Sequence, residues 1–425
     1  MQRRTPPDEI DPDRRTYANG KDPISERQFV VDSLQKRLDE EIEAYQKHCI
    51  QVEAEIFNVY SFAAISDEDS DITAALEEAW SLACQGSNKD QNTVVIPKGT
   101  FSLKAVTFYG PCDAPITFQV NGNVKAPPGA SIGGAEEWVH FTTVRGLTVS
   151  GTGTFNGLGE TAWGQNNCKQ DNNCDLSPTS IKLSGVSDAY IGGITSVNSK
   201  SSHIKIFESQ TVEINGVKIV APDKSPNTDG IHISRSDGVK VFNSDIGTGD
   251  DCIAIIRGTK NVHINNVNCG PGHGISIGSL GKYEDEGDVS GIVVENSRLS
   301  GTTNGLRIKT WASPYPSKVF GVTYRDIVLQ NVDNPIIIDQ NYCPNSNCGS
   351  GGESQVKISN VKYENIKGTS NDEIAVIMDC SKANPCRDIT LSRLNIKWGS
   401  QRQTKASCSN FKGEFVGSNY PARCG

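Results

Sequence analysis

Short segments in which hydrophobic and polar residues alternate dominate the chain from about residue 94 onward. Alternation with a period of two is typical of β-strands that bury one face. The segments recur as AYIGGITS at 189, VEINGVKI at 212, VKVFNSDI at 239, VHINNVNC at 262, IVVENSRL at 292, VTYRDIVL at 322, VKISNVKY at 356 and ITLSRLNI at 389. Successive starts differ by 23, 27, 23, 30, 30, 34 and 33 residues. Units this small cannot hold a core alone, so we predict that they stack into a solenoid.

A second predicted strand follows the first within most units, as GIHISRS, CIAIIRG, GISIGSL, GLRIKTW and PIIIDQN. Two or three short β segments per unit, with no helical pattern between them, favour an all-β right-handed parallel β-helix. Because side chains alternate between the two faces of a strand, this arrangement places two stacks of aliphatic residues inside. The first stack is Ile231, Ile253, Ile275 and Leu306. The second stack is Ile233, Ile255, Ile277 and Ile308.

The N-terminal part of the chain has a helical pattern instead. After a charged, turn-rich stretch to about residue 24, which we expect to be disordered, Ser25 and Gln28 have capping-box spacing. Apolar residues then recur every three or four positions, namely Val31, Leu34, Leu38, Ile42, Tyr45, Cys49 and Val52. We predict one amphipathic helix docked on the main body; a coiled-coil partner helix is the less favoured interpretation.

A second helix is predicted from Ile72 to Cys84, with Asp71 as its cap and Gly86 after its end. This helix would cover the open N-terminal end of the solenoid, where strand edges are otherwise unpaired. We therefore predict two domains. Residues 1–54 form a charged extension that is disordered and then helical, and residues 55–425 form the β-helix.

Composition narrows the class of protein. The 425 residues carry 41 Lys and Arg against 50 Asp and Glu, and the net charge of −9 argues against nucleic acid as a partner. No apolar run approaches the roughly 18 residues that a membrane span needs, so we expect a soluble protein, and a monomer. Thirteen cysteines favour an oxidising compartment, although no apolar signal core follows the charged start MQRRTPPDEI.

Aligning the second strands brings acidic residues onto one line. Asp229, Asp251 and His273 each stand one residue before a predicted strand, at intervals of 22 residues, and Asp250 adjoins Asp251. Parallel stacking would place them on successive rungs about 4.8 Å apart. Crowded carboxylates raise the pKa of at least one member. An inverting glycoside hydrolase needs one protonated and one ionised carboxyl group, and we predict the central carboxyl group to be the acid.

Basic residues lie beside the same line. Arg307 and Lys309 take the outward positions of GLRIKT, near His273. In a protein of negative net charge, such a local cluster indicates a substrate that carries carboxylates itself, which points to a polyuronate. Taken singly, each residue has an ordinary explanation: a solvated Asp-Asp turn, a turn histidine, or the polar face of a strand. Their shared register makes these explanations less favoured.

Four motifs in order, NTD at 227–229, GDD at 249–251, GHG at 272–274 and RIK at 307–309, resemble the signature motifs of the polygalacturonase family of pectin hydrolases. The resemblance extends from about Phe57 to Gly425. It implies a right-handed β-helix that hydrolyses α-1,4-galacturonosyl linkages with inversion and needs no cofactor or metal. GPGHGISIGSLGKY and NPIIIDQNYCP are most similar to the plant pollen type, which implies action from chain ends and a place in the cell wall outside the cell.

The resemblance also implies a role for each site residue. Asp250 would be the general acid, and Asp229 and Asp251 would hold and activate water. His273 would tune the acid or contact the sugar. The residues that would bind substrate are Asn227, Arg307, Lys309 and Tyr342.

Cysteine pairing is likewise implied by the resemblance. The implied pairs are Cys84 with Cys112, Cys168 with Cys174, Cys252 with Cys269, Cys343 with Cys348, Cys380 with Cys386 and Cys408 with Cys424, which leaves Cys49 alone. The sequence departs from the family at the outward positions after Cys252, where Ala254 and Ile256 replace small or hydroxyl residues. Ile256 would narrow a subsite near Gly278 and Lys309.

Two other functions remain open at this point. A calcium-dependent polyuronate lyase would also use a β-helix, with a metal held by several carboxylates. A solenoid that binds pectin without cleaving it is the second alternative, because Ile256 and the altered N-terminal region depart from the family pattern.

Overall fold

A computed structural model describes residues 23–50, 55–67, 70–86, 91–165, 177–344, 352–399 and 402–424. The chain divides into two units, Met1–Glu53 and Ala54–Gly425. None of the helices that the structure describes is long and apolar enough to cross a membrane. The expectation of disorder before residue 25 falls almost wholly outside the described residues.

The first unit contains helix α1, Pro23–Ile50, which covers most of the predicted amphipathic segment. Its stripe residues Val31, Leu34, Leu38 and Ile42 are all exposed. The docking of this helix on the main body, and its role as a coiled-coil partner, stay predictions. The structural surroundings of Cys49 and Val52 lie outside the described side chains.

The second unit begins with β1 and a 3-10 turn, Val59–Phe62, followed by helix α2, Thr73–Cys84. Short strands make up nearly all of the rest. The strands are β1 Glu55–Asn58, β2 Asn92–Ile96, β3 Thr100–Ser102, β4 Val106–Tyr109, β5 Ile116–Val120, β6 Asn123–Lys125, β7 Glu137–Thr142, β8 Leu147–Ser150, β9 Thr154–Asn156, β10 Thr179–Ser184, β11 Ser187–Gly192, β12 Thr195–Val197, β13 Ile204–Phe207, β14 Gln210–Asn215, β15 Lys218–Val220, β16 Ile231–Ser234, β17 Asp237–Phe242, β18 Asp245–Gly247, β19 Ile253–Ile255, β20 Lys260–Asn265, β21 Asn268–Cys269, β22 Ile275–Leu280, β23 Val289–Glu295, β24 Arg298–Ser300, β25 Asn304–Trp311, β26 Ser317–Val332, β27 Asn334–Tyr342, β28 Val356–Ser370, β29 Ile374–Asp379, β30 Cys386–Ser392, β31 Asn395–Trp398, β32 Arg402–Gln403, β33 Lys405–Ser409 and β34 Phe411–Val416. Two further 3-10 turns span Gly159–Thr161 and Trp163–Gln165.

One strand from each turn of the chain joins a sheet of 11 strands within the described residues, from β4 through β33. Neighbouring strands in this sheet run parallel, and Ile231, Ile253, Ile275 and Leu306 pair in succession. These four side chains are fully buried, as are those of the second predicted stack. The prediction of a parallel β-helix with two inner aliphatic stacks is therefore confirmed.

The remaining strands form the second, larger sheet, in which the repeating segments pair as the period predicts, with one exception. Ala189, Val212, Val239, Val262, Ile292 and Val322 pair one after another. The next partner of Val322 is Val361, not Val356, and Val361 then pairs with Ile389. The predicted alignment at 356 was therefore wrong by five residues. Val356 belongs to the same long strand but pairs with Ser317.

Helix α2 covers the N-terminal end of the β-helix, as predicted, since it contacts β1, β2 and β4. Trp80 packs its ring 4.8 Å from that of Phe108 and 5.6 Å from that of Phe141, and it donates to the Tyr109 carbonyl at 3.2 Å. At the start of the helix the Asp71 carboxylate accepts from the Thr73 N–H at 3.0 Å. The helix thus places apolar side chains over a core that would otherwise face water.

Four of the implied disulfides are present: Cys84–Cys112, Cys252–Cys269, Cys380–Cys386 and Cys408–Cys424. Cys168, Cys174 and Cys348 lie outside the described residues. The implied pairs Cys168–Cys174 and Cys343–Cys348 therefore stay predictions.

Candidate active site

The predicted acidic line lies at the entrance to β16, β19 and β22 of the 11-stranded sheet. The backbone hydrogen bonds between neighbouring strands continue through the residues just before these strands. Gly230 N–H donates to the Asp251 carbonyl at 2.9 Å, and Cys252 N–H donates to the Gly274 carbonyl at 2.8 Å. Asp229 and Asp251 therefore occupy equivalent positions on neighbouring rungs, and His273 takes the same position on the next rung.

Glycine allows the close approach of the chain around His273. A Cβ on Gly272 would lie 2.6 Å from the Asp250 carbonyl oxygen, and one on Gly274 would lie 2.0 Å from the Asn304 carbonyl oxygen. Both glycines have positive φ, 143° and 83°. Because no other residue fits these positions without moving the neighbouring rung, the GHG motif sets the height of His273 beside Asp250.

The NTD and GDD turns are tied to each other through Thr228. Its hydroxyl is fully buried, accepts from the Gly249 N–H at 3.1 Å and shares a hydrogen bond with Ser225 at 2.6 Å. Asn227 precedes it with a left-handed φ of 55°. Thr228 thus fixes the spacing between the two acidic turns.

Asp251 is surrounded by cations. Its Oδ1 accepts from Arg307 Nη2 at 2.7 Å and from the Ser276 hydroxyl at 2.7 Å, and its Oδ2 accepts from Lys309 Nζ at 2.8 Å. Burial alone would raise the pKa of Asp251, but the charges of Lys309 and Arg307 and these hydrogen bonds hold that pKa well below its usual value. Asp251 is therefore ionised at any pH near neutrality.

Asp229 has a different environment. Burial, together with the negative charge of Asp250, raises the pKa of Asp229 to about 6. His232 Nδ1 lies 2.9 Å from its Oδ2, and this contact opposes the shift only in part. The carboxyl group of Asp229 therefore holds a proton when the pH is below about 6.

Asp250 contacts His273, and both side chains are partly exposed. Its Oδ1 lies 3.0 Å from His273 Nδ1 and accepts from the Asp251 N–H at 2.8 Å. The hydrogen bond to Asp250 raises the pKa of His273, even though burial opposes this shift. The histidine is consequently biased toward its cationic form beside the acids.

Tyr342, at the end of β27, pairs with Trp311 just after the RIK motif. Its ring is 5.3 Å from Lys309 Nζ and 5.6 Å from the ring of Trp311, which it meets edge to face. The structure thus brings Arg307, Lys309 and Tyr342 together around Asp251.

Sequence reasoning missed three residues that shape the site, Thr228, His232 and Ser276. Alternation provides the signal for two of them. His232, Ala254, Ser276 and Arg307 pair in succession on four neighbouring strands. His232 and Ser276 therefore take the same outward position as Arg307. Ala254 is buried, whereas Ile256 follows the end of β19 and is half-buried. The prediction that Ile256 narrows a subsite is not tested by this burial and stays a prediction.

A metal could use Asp250, Asp251 and His273, whose ligand atoms lie within 4.8 Å of one another. However, both Asp251 oxygens already accept from cationic side chains, and His273 Nδ1 is bonded to Asp250. A divalent cation would have to displace these contacts against the charges of Arg307 and Lys309. The donor set therefore does not fit a resident metal.

Comparison with known proteins agrees with the motifs. Residues 84–419 match the family described as Glycosyl hydrolases family 28. An exopolygalacturonase of Platanus acerifolia is 42% identical over 375 residues, which cover 88% of this chain and 98% of the relative. A polygalacturonase of Brassica napus is also 42% identical, over 86% of this chain and 92% of the relative.

Solved structures share the fold at low sequence identity. The endo-xylogalacturonan hydrolase of Aspergillus tubingensis superposes with a TM-score of 0.74 at 23% identity and covers 86% of this chain and 99% of that one. An exopolygalacturonase of Thermotoga maritima gives a TM-score of 0.68 at 17% identity, over 85% and 92% of the two chains. Because the match at residues 84–419 spans most of the sequence, the chain belongs to the glycosyl hydrolases of family 28, the polygalacturonase family that its motifs resemble.

Proposed function

We propose that this protein hydrolyses α-1,4-galacturonosyl linkages of polygalacturonate and pectin, with inversion at the anomeric carbon. The observation that carries the proposal is the contrast between Asp251, which Arg307 and Lys309 hold ionised, and the adjoining Asp250, which contacts His273 and is bonded to neither of these two cations. An inverting hydrolase needs one carboxyl group of each kind. Membership of the family supports hydrolysis over the lyase alternative.

In the proposed reaction Asp250 donates its proton to the glycosidic oxygen as the bond between that oxygen and the anomeric carbon breaks. A water molecule held by Asp229 and Asp251 attacks the same carbon from the opposite face and gives up a proton to the ionised carboxylate of Asp251. The leaving chain departs with a hydroxyl group, and the new reducing end has inverted configuration. After the products leave, Asp251 releases the proton that it took from water and Asp250 takes one up from solvent, so both groups return to their starting states.

The cations serve the substrate as well as Asp251. Arg307 has five N–H donors and Lys309 has three, so donors remain for a sugar carboxylate. A bound carboxylate would share the positive charge that now acts on Asp251, and the basicity of Asp251 would rise when substrate arrives. Asn227, His273 and Tyr342 would contact the sugar at the rim of this pocket.

Action from chain ends is the finer part of the proposal. It is supported by the relatives of Platanus acerifolia and Oenothera organensis, both of which are exopolygalacturonases by name. An extracellular location is supported by the disulfides among the described residues.

Replacement of the acid tests this proposal. Asp250→Asn should lower the release of reducing ends from polygalacturonate by about 10²- to 10⁴-fold, because general-acid assistance is lost. The matched control is Asp245→Asn, on β18 of the larger sheet, which should leave the rate unchanged. Unchanged turnover in Asp250→Asn would exclude the assigned acid.

Two further readouts complete the test. NMR of the first product should show the inverted anomer, and each cleavage of a defined oligogalacturonate should release monogalacturonate and an oligomer that is one residue shorter. Tight binding of polygalacturonate without hydrolysis across acidic pH would instead establish the non-catalytic alternative.

A further inference from the structure

A row of basic residues continues the outward face of the 11-stranded sheet from the acids toward its N-terminal end. His140, Lys182, Lys205 and His232 occupy the same position on four successive strands. Beyond His232 the row continues through Ala254 and Ser276 to Arg307. Basic side chains therefore lie on both sides of the acids, with small residues between them.

Most of the N-terminal members already have partners. Lys182 forms an ion pair with Glu137, and its amine also lies 5.7 Å from the centre of the Phe207 ring. His140 shares a hydrogen bond with Ser184 at 2.9 Å. His232 contacts Asp229, as described above.

Lys205 differs from these neighbours. Its side chain is half-buried, and within the described part of the chain its amine has no hydrogen bond and no ion pair. Burial, followed by the like charge of Lys182, lowers its pKa. A cation held in this way costs stability unless an anion joins it, so the position is suited to an anionic ligand.

We propose that Lys205 binds the carboxylate of a galacturonosyl residue on the N-terminal side of Asp229, opposite the pocket of Arg307 and Lys309. The inference rests on the proposed function, since it identifies a second carboxylate subsite in the same cleft. Four rungs separate the Cα atoms of Lys205 and Arg307, roughly 19 Å at the usual strand spacing. The two cationic groups therefore serve carboxylates of different sugar residues.

A structural role is the competing explanation, because Lys205 also lies near Glu136, Glu137 and Asp229 without bonding to them. The test compares trigalacturonate with its fully methyl-esterified form, which offers no carboxylate. Dissociation constants are measured by calorimetry in the Asp250→Asn background, so that turnover does not interfere. Lys205→Gln and Lys205→Met should each weaken binding of the free acid about 10-fold or more and that of the ester less than 2-fold.

Two control variants accompany them. Lys205→Arg keeps the charge and should restore binding of the free acid to within about 3-fold of the parent. Lys240→Gln, at an exposed position on β17 of the larger sheet, should change neither constant. Equal weakening for acid and ester, or no weakening for either, would overturn the subsite.

Failure of the subsite and failure of the proposed function are separate outcomes. If the parent binds trigalacturonate through Lys205 but the protein with Asp250 intact never cleaves it, the subsite stands and the hydrolase proposal falls. If cleavage is normal and Lys205→Gln leaves the Michaelis constant for the free acid unchanged, the hydrolase stands and the subsite falls.

Discussion

Asp229 and Asp251 occupy equivalent positions on neighbouring rungs, yet their surroundings are opposite. Asp251 accepts from Arg307, Lys309 and Ser276, and its pKa is held far below the usual value. Asp229 contacts His232 and faces the charge of Asp250, and its pKa rises to about 6. Both side chains are largely removed from solvent, with 16% and 3% exposed for Asp229 and Asp251.

The comparison shows that burial does not decide the protonation of these groups. Desolvation raises the pKa of both carboxyl groups, and the difference arises from which charges reach each one. Arg307 and Lys309 extend back toward the N-terminal end and stop at Asp251. The cations of the RIK motif therefore divide a row of similar acids into an ionised member and a protonated one.

Replacement of Asp251, the ionised carboxyl group, should have the largest effect on stability and activity. Asp251→Asn leaves Arg307 and Lys309 buried without their counter-charge, so we expect a loss of about 3 kcal/mol in the free energy of unfolding. The rate of hydrolysis should fall by about 10²-fold or more, because the ionised carboxylate is lost. Urea unfolding and release of reducing ends measure the two effects.

A double variant controls for that result. Asp251→Asn combined with Lys309→Met removes one uncompensated charge and should recover part of the lost stability but none of the activity. If the single variant were as stable as the wild type, the cations would not depend on Asp251 as described.

Asp229 should show the opposite sign in its effect on stability. Its pKa is raised from 3.8 in the unfolded chain to about 6 in the folded protein. The stability that this proton provides is therefore complete below about pH 3.8 and is lost as the pH rises through about 6. Asp229→Asn avoids this loss, so at pH 7.5 the variant should be more stable than the wild type, by on the order of 2 kcal/mol.

At pH 3.5 the difference should vanish, since Asp229 is then protonated in both states. Asp245→Asn serves as the control and should follow the wild type at both pH values. An Asp229→Asn variant that is less stable than the wild type at pH 7.5 would contradict the raised pKa.

The smallest effect is expected at Ser276. Its hydroxyl donates to Asp251 and accepts from Arg307 Nε at 3.0 Å, so it orients the pair without carrying charge. Ser276→Ala should lower kcat/KM on polygalacturonate about 5-fold, the value of one ordinary hydrogen bond. Ser359→Ala, on β28 of the larger sheet, is the matched control and should have no effect. A loss as large as that in Asp251→Asn would mean that Ser276 acts in the chemistry directly.

The sequence predicted the solenoid and the acidic line because both depend on period and alternation alone. It failed at Val356 because β28 is one long strand that contains two alternating stretches, VKIS and VKYE, and either one matches the pattern. Only the pairing of Val322 with Val361 distinguishes them.

The alternation of hydrophobic and polar residues could not predict the difference in pKa between Asp229 and Asp251. Alternation places Arg307 and Lys309 on the outward face, but it does not give the direction in which long side chains extend along that face. Thr228 contributes through a hydrogen bond between two turns, and His232 contributes through a contact with Asp229, three residues before it. Neither contact is specified by the spacing of the motifs.

Titration of the individual carboxyl groups tests the central claim most directly. Carbon-13 NMR of aspartate-labelled protein, with signals assigned through Asp229→Asn and Asp251→Asn, should show Asp229 titrating near pH 6. Asp251 should show no titration as the pH is lowered to about 3. If both groups titrate together near 4, or if Asp251 takes up its proton before Asp229 does, the RIK cations do not divide the acids and the proposed roles fail.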